Sequence, residues 1–146
     1  MESSRTWKDE RENTGYVLIA DTNARIFRLR FWGLWDESLG RSFEKAALEG
    51  FSLIPDDRSW SVLADISAYP PQRPAVQASH AKCMGVAKGK IHRAANLVAG
   101  HLSQMQIRRL SEESGLPSYA FFTKEAEAVR WLQMTGDAEA DRLATK

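Results

Sequence analysis

Between Tyr16 and Leu132 the apolar residues switch repeatedly between strand-like alternation and helix-like spacing, a pattern that builds a layered domain of sheet and helices. Residues 16–20 (YVLIA) and 25–31 (RIFRLRF) are rich in β-branched and aromatic side chains. The polar residues Asp21, Thr22 and Asn23 between them suit a hairpin turn. In the second run Phe27, Leu29 and Phe31 alternate with Arg28 and Arg30, so one face packs while the other stays wet. Asp36 is placed to N-cap a helix carrying Leu39, Phe43, Ala46 and Ala47, with Gly50 suited to the left-handed residue that ends it. Residues 60–66 (WSVLADI) read as a buried strand.

Pro70, Pro71 and Pro74 then break the pattern. Proline is tolerated only in a helix's first turn, which starts the next helix near Pro74 and runs it to about Lys88, with Val76, His80, Cys83, Met84 and Ala87 on one stripe. Residues 93–100 (RAANLVAG) predict another strand. Ser103 with Gln106 forms a capping box for a helix through Ser114, closed by Gly115 and Pro117. Residues 119–122 make a last short strand, and Thr123 caps a final helix bearing Ala128, Val129, Trp131 and Leu132. The order ββαβαβαβα predicts an α/β fold: a five-stranded mixed sheet, mostly parallel, with four helices. Its core should bury Phe27, Leu29, Phe31, Phe43, Leu63 and Leu132.

A chain of 146 residues fits one domain, expected over residues 15–135, and 43% hydrophobic with 27% charged residues is an ordinary globular composition. Residues 1–14, densely charged, and 136–146, with few apolar side chains, are expected to be flexible tails. A net charge of +1 argues against nucleic acid as partner. One cysteine excludes an intramolecular disulfide. Without a leader-like or membrane-spanning apolar run, the expectation is a cytoplasmic protein with no transmembrane segment.

Catalytic spacings are missing: no phosphate-binding, dinucleotide, nucleophile-elbow, C-x-x-C or H-E-x-x-H motif occurs, so neither an enzyme nor a cofactor is expected. His80, His92 and His101 have no Cys or carboxylate at ligand spacing, which predicts no metal site. His80 and Cys83 read as core residues of their helix stripe.

Two surfaces are candidates for binding. Open α/β sheets hold ligands outside the carboxyl ends of their strands, where Trp32, Trp35, Asp65, Ser67, Tyr69, His101 and Ser103 should gather as a rim pocket. The simpler reading gives each a local role, with Asp65 accepting backbone N–H groups, the tryptophans covering a helix entry, and His101 and Ser103 serving a helix start. The second candidate follows from charge. Residues 66–111 contain no Asp or Glu but hold Arg73, Lys82, Lys88, Lys90, Arg93, Arg108 and Arg109, a basic surface if brought together, suited to an acidic protein or anionic ligand. Neighbouring acids such as Glu112 and Glu125 would otherwise neutralise it.

Three segments resemble the STAS domain superfamily, in particular its stand-alone sporulation anti-sigma-factor-antagonist-like (SpoIIAA-like) bacterial proteins. They are Phe31-Trp32-Gly33 before a helix, the strand from Val62 to Ser67, and the close from Phe121 to Leu132 with its aromatic strand, acidic helix start and Trp131-Leu132 pair. The resemblance implies a regulatory, non-enzymatic protein-interaction module. One departure stands out: where phospho-switched members place a serine at the helix start, this chain reads Ala68-Tyr69-Pro70-Pro71-Gln72-Arg73-Pro74, with no serine or threonine. The usual phosphoserine switch is therefore not expected. The same architecture resembles lipid-binding Sec14-like domains, which makes a carrier or sensor of a small apolar or anionic ligand the alternative. A filled interior would favour the interaction module, and an apolar cavity of several hundred Å³ the carrier, as estimated from typical ligand pockets of roughly 300–1,000 Å³.

Overall fold

The computed structural model describes residues 4–99, 101–114 and 118–134, residues 101–103 and 114 by backbone alone. Ten elements follow in order: β1 (Ser4–Arg11), β2 (Thr14–Asp21), β3 (Ile26–Trp32), α1 (Glu37–Ser52), β4 (Trp60–Ala68), α2 (Pro74–Ala87), β5 (Ile91–Leu97), α3 (His101–Ser114), β6 (Tyr119–Phe122) and α4 (Glu125–Leu132). They form one mixed sheet whose spatial order equals the chain order, β1 to β6. The first three strands pair antiparallel, and β3 to β6 run parallel.

The sheet has six strands, not the expected five. The extra one is β1, which lies within the segment 1–14 expected to be a flexible tail because it is polar and densely charged. Its inward side chains find partners on α1 and β3: Arg5 bonds Glu49 of α1 at 2.9 Å, Ser42 of α1 donates to Asp9 at 2.7 Å, and Trp7 stacks on Phe27 of β3. Charge on an inward face is satisfied here by a helix, and a hydropathy pattern cannot show that.

Crossovers between parallel strands are right-handed, so strands added in one direction put every crossover helix on the same face. Accordingly α1, α2 and α3 cover one face, over a core containing Leu18, Phe27, Phe31, Trp35, Phe43, Val76 and Ile107. Helix α4 is not a crossover. It packs on the other face, where Ala128, Trp131 and Leu132 meet Leu63, Ala95, Leu97, Ala120 and Phe122.

Of the expected core, Phe27, Phe31, Phe43, Leu63 and Leu132 are buried. Leu29, on the same strand face as Phe27 and Phe31, packs against that core but is only half-buried. Asp36 caps α1 as expected, accepting from the Leu39 N–H at 2.8 Å. Gly50 does not end the helix. It stays helical, and glycine is required because an added Cβ would lie 2.5 Å from Phe27 Cζ. Pro74 opens α2 at its first turn. Strand β5 begins at Ile91 rather than residue 93, and α3 begins at His101, two residues before the expected cap Ser103. Lys124, not Thr123, occupies the cap position of α4, without a side-chain cap bond. Gly100, Gly115, Pro117 and the expected tail 136–146 lie outside the described residues.

Candidate functional site

At the carboxyl ends of the parallel strands, three segments are tied together by one side chain. Gln72 is 5% exposed, between Pro71 and Pro74 in the β4–α2 loop. Its Oε1 accepts from the Trp35 N–H at 2.8 Å, and its Nε2 donates to the carbonyls of Gly33 at 3.0 Å and Pro70 at 2.7 Å. Its backbone joins α3: the Gln72 N–H donates to Gln106 Oε1 at 3.0 Å, and Gln106 Nε2 donates back to the Gln72 carbonyl at 3.3 Å. Gln77 Nε2 donates to the same carbonyl at 2.8 Å. A buried amide whose donors and acceptors are all used fixes its neighbours in one geometry. The residues adjacent to these bonded groups are apolar and exposed: Leu34 (47%) beside Trp35, Met105 (54%) beside Gln106, and Pro70 and Pro71 beside Gln72 itself.

Among the described residues the predicted rim pocket does not assemble as one site, because Trp35 and Tyr69 fall on one side of the sheet and Asp65 on the other. Trp35 and Tyr69 are buried in the core under α1 and α2. There Trp35, Phe31 and Phe43 surround the His80 ring at centroid distances of 5.1–5.3 Å, and Tyr69 Oη lies 2.6 Å from His80 Nε2. Burial pushes the His80 imidazole down to about 4 and the Tyr69 phenol up. Asp65 points the other way, since its register partner on β3 is Arg30. Its Oδ1 accepts from Ser67 N–H at 3.0 Å and Ser67 Oγ at 2.6 Å, the local role that the simpler reading gave it. Trp32 is half-buried beneath the Arg30 guanidinium. The side chains of His101 and Ser103 lie outside the described residues.

The basic residues also separate. Arg93 is no surface group: it is 2% exposed, and its Nη1 donates to the carbonyls of Trp131 at 2.9 Å and Met134 at 2.5 Å, capping the end of α4. Lys82 pairs with Glu44, and Lys90 with Asp56, each at 3.0 Å. Lys88 caps the other end of α2. Nearer the rim are Arg73, exposed at the start of α2, and Arg109, which donates to Gln77 at 2.6 Å. Arg108 lies exposed over the Phe121 ring. Sequence reasoning missed Gln72 and gave Gln106 only a helix-capping role. A glutamine between prolines shows no periodicity, and its partners are 34 to 39 residues distant in the chain.

Beneath the rim, between the sheet and helices α2 and α3, a cavity of about 70 Å³ is lined by Ile66, His80, Met84, Asn96, Ile107 and Ser111 among others. Burial pushes the nearby Cys83 thiol up to about 12, so it stays protonated. Among the described residues no cluster of three His, Cys, Asp or Glu could hold a metal ion, and no helix is long and apolar enough to cross a membrane.

No family model matches the chain, and no curated protein matches it in sequence. Solved structures do match. An uncharacterised protein of the DUF3478 family with a SpoIIAA-like fold, from Shewanella loihica PV-4, superposes with a TM-score of 0.60 at 14% identity over 90% of this chain and 95% of that one. An anti-sigma factor antagonist from Mycobacterium paratuberculosis superposes with a TM-score of 0.53 at 13% identity, over 90% and 96%. At such identities the likeness concerns the fold alone, and the fold of this chain is SpoIIAA-like.

Proposed function

We propose that the chain is a non-enzymatic regulatory module of STAS-like type, which binds an acidic protein partner through the rim around Gln72 and uses no phosphoserine in the β4–α2 loop. The observation that carries this reading is the Gln72 clamp. It holds three loops rigid while leaving Leu34, Pro70, Pro71 and Met105 exposed, and preordered apolar surface costs little entropy to bind. Arg73 and Arg109 beside Gln77 supply the positive charge that an acidic partner would meet. The interior supports the same reading. A 70 Å³ cavity is far below the roughly 300–1,000 Å³ of ligand pockets, which weighs against a carrier with its cargo inside the domain. Ser67 is exposed, but its hydroxyl donates to Asp65, and a phosphate there would face that carboxylate.

The test is capture of partners from native cells with the chain as bait, followed by binding measurements on the partner found. Leu34→Asp with Met105→Asp should abolish capture, added salt should weaken affinity, and Arg108→Glu with Arg109→Glu should slow association while the fold stays intact. A partner indifferent to all three changes would overturn the rim reading. Stoichiometric phosphate on Ser67 in protein from those cells would overturn the absence of a switch.

A further inference from the structure

Among the described residues, the face of the sheet that carries α4 is covered by that helix over β4 to β6. Over β2, β3 and β4 it opens into a trough of about 330 Å³ lined by Val17, Ile19, Arg28, Leu29, Arg30, Leu63, Asp65 and Glu125. Strand register lays these side chains out in two rows. Ile19, Arg28 and Leu63 stand side by side across the three strands, and Val17, Arg30 and Asp65 form the next row. Glu125, the first residue of α4, closes one end.

We propose that this trough binds a small zwitterion with an aliphatic body, the chemistry of a free branched-chain amino acid. The side chains of Val17, Ile19 and Leu63 offer an apolar floor, while its charges are balanced and mixed, two arginines against two carboxylates. An anion alone would meet Asp65 and Glu125, and a cation alone would meet Arg28 and Arg30. A molecule carrying both charges satisfies both pairs. The groups are also available to it. Arg30 rests on the Trp32 ring without an ion pair in the described structure, Arg28 reaches Asp21 only at 4.0 Å, and the bonds to Ser67 occupy only one oxygen of Asp65. The volume lies at the lower end of ligand pockets, which start at roughly 300 Å³. The trough shares no lining residue with the rim, so either site stands if the other fails.

The experiment is a titration of the isotope-labelled chain with L-leucine, 4-methylpentanoate, which lacks the ammonium, and leucinol, which lacks the carboxylate. Leucine should give saturable amide shifts confined to residues 17–19, 28–30, 63–65 and 125. Each one-charge analogue should bind at least about ten-fold more weakly, the typical worth of a charge-assisted hydrogen bond. Arg30→Gln and Glu125→Gln, both at exposed positions, should each weaken leucine by about ten-fold without moving the melting temperature. No saturable shift at about 10 mM leucine would overturn the proposal, since a site weaker than that is no specific site. So would 4-methylpentanoate binding as tightly as leucine, which would make the trough a plain anion site, or shifts confined to residues elsewhere. The analogue series on the unaltered chain decides the matter even if a variant misfolds.

Discussion

The two faces of the sheet are built on opposite plans. Under α1, α2 and α3 lies a continuous aromatic core, in which Phe31 contacts Trp35, Phe43, Tyr69 and His80 within 5.3 Å between centroids. Under α4 the packing sets Trp131 and Phe122 among Leu and Ala side chains, and beyond that helix, among the described residues, the face is open and carries charge. The same strands supply both faces, since Phe27 and Phe31 point to one while Arg28 and Arg30 point to the other. The covered face therefore holds the stability, and the open one is free to carry charges that a core would not tolerate.

The sharpest test of that division is Phe43→Ala. Phe43 is 3% exposed and meets Tyr16 and Phe31 edge-to-face and Trp35 at a tilt, so truncation leaves a cavity in the middle of the covered face. We expect a loss of about 3–5 kcal/mol in urea denaturation. The same truncation at half-buried Val17, on the open face, should cost well under 1 kcal/mol, within about 0.5 kcal/mol for a surface change. Equal losses at the two sites would mean that the open face is in fact covered.

The covered face was legible in the sequence because packing there follows period. The stripe Val76, His80, Cys83 and Ala87 in α2, the alternation in β3 and the cap at Asp36 each leave a local mark, and each appears in the structure. What could not be read depends on contacts distant in sequence. Strand β1 exists because α1 answers its charges, and Arg93 leaves the surface because a helix about forty residues later ends over it. The candidate sites were the least legible. Position at the strand ends correctly drew attention to the rim, but the residues chosen were conspicuous by chemistry, whereas Gln72 matters by geometry. Asp65 and Tyr69 stand four residues apart and still part company across the sheet, because the strand ends between them.

A second test uses His80, the one histidine in the aromatic core among the described residues. Burial holds His80 near 4, while the unfolded chain titrates near about 6.5, so between those values the unfolded state binds more protons. Stability from this group is complete above about pH 6.5 and falls as pH drops toward 4, by up to about 3 kcal/mol. Asp9, held low by its hydrogen bond with Arg11, loses its contribution only below its ordinary value of 3.8, a separate window. Urea denaturation at pH 7 and pH 4.5 should therefore show a fall in the native chain that His80→Gln largely removes. A variant with the same pH slope as the native chain would place the titrating group outside the aromatic core.

A third test, with a smaller loss than Phe43→Ala or the pH effect at His80, belongs to the half-cover of the second face. Arg93 joins β5 to the end of α4 through the carbonyls of Trp131 and Met134, and its guanidinium lies 5.6 Å from the centre of the Trp131 ring. Replacing it by methionine keeps the apolar stem but removes the charged donors. Each charge-assisted hydrogen bond is worth about 1.5–3 kcal/mol, and carbonyls at a helix end regain some of that from water, so we expect a net loss of about 2 kcal/mol. The loss should also be local. Helix α4 packs on the sheet alone, apart from α1 and α2, so hydrogen exchange in Arg93→Met should quicken at amides of α4 and β6 while those of α1 keep their protection. Uniform quickening across α1, α2 and α4 would show that the two faces unfold as one unit, and that the open half owes its freedom to geometry alone.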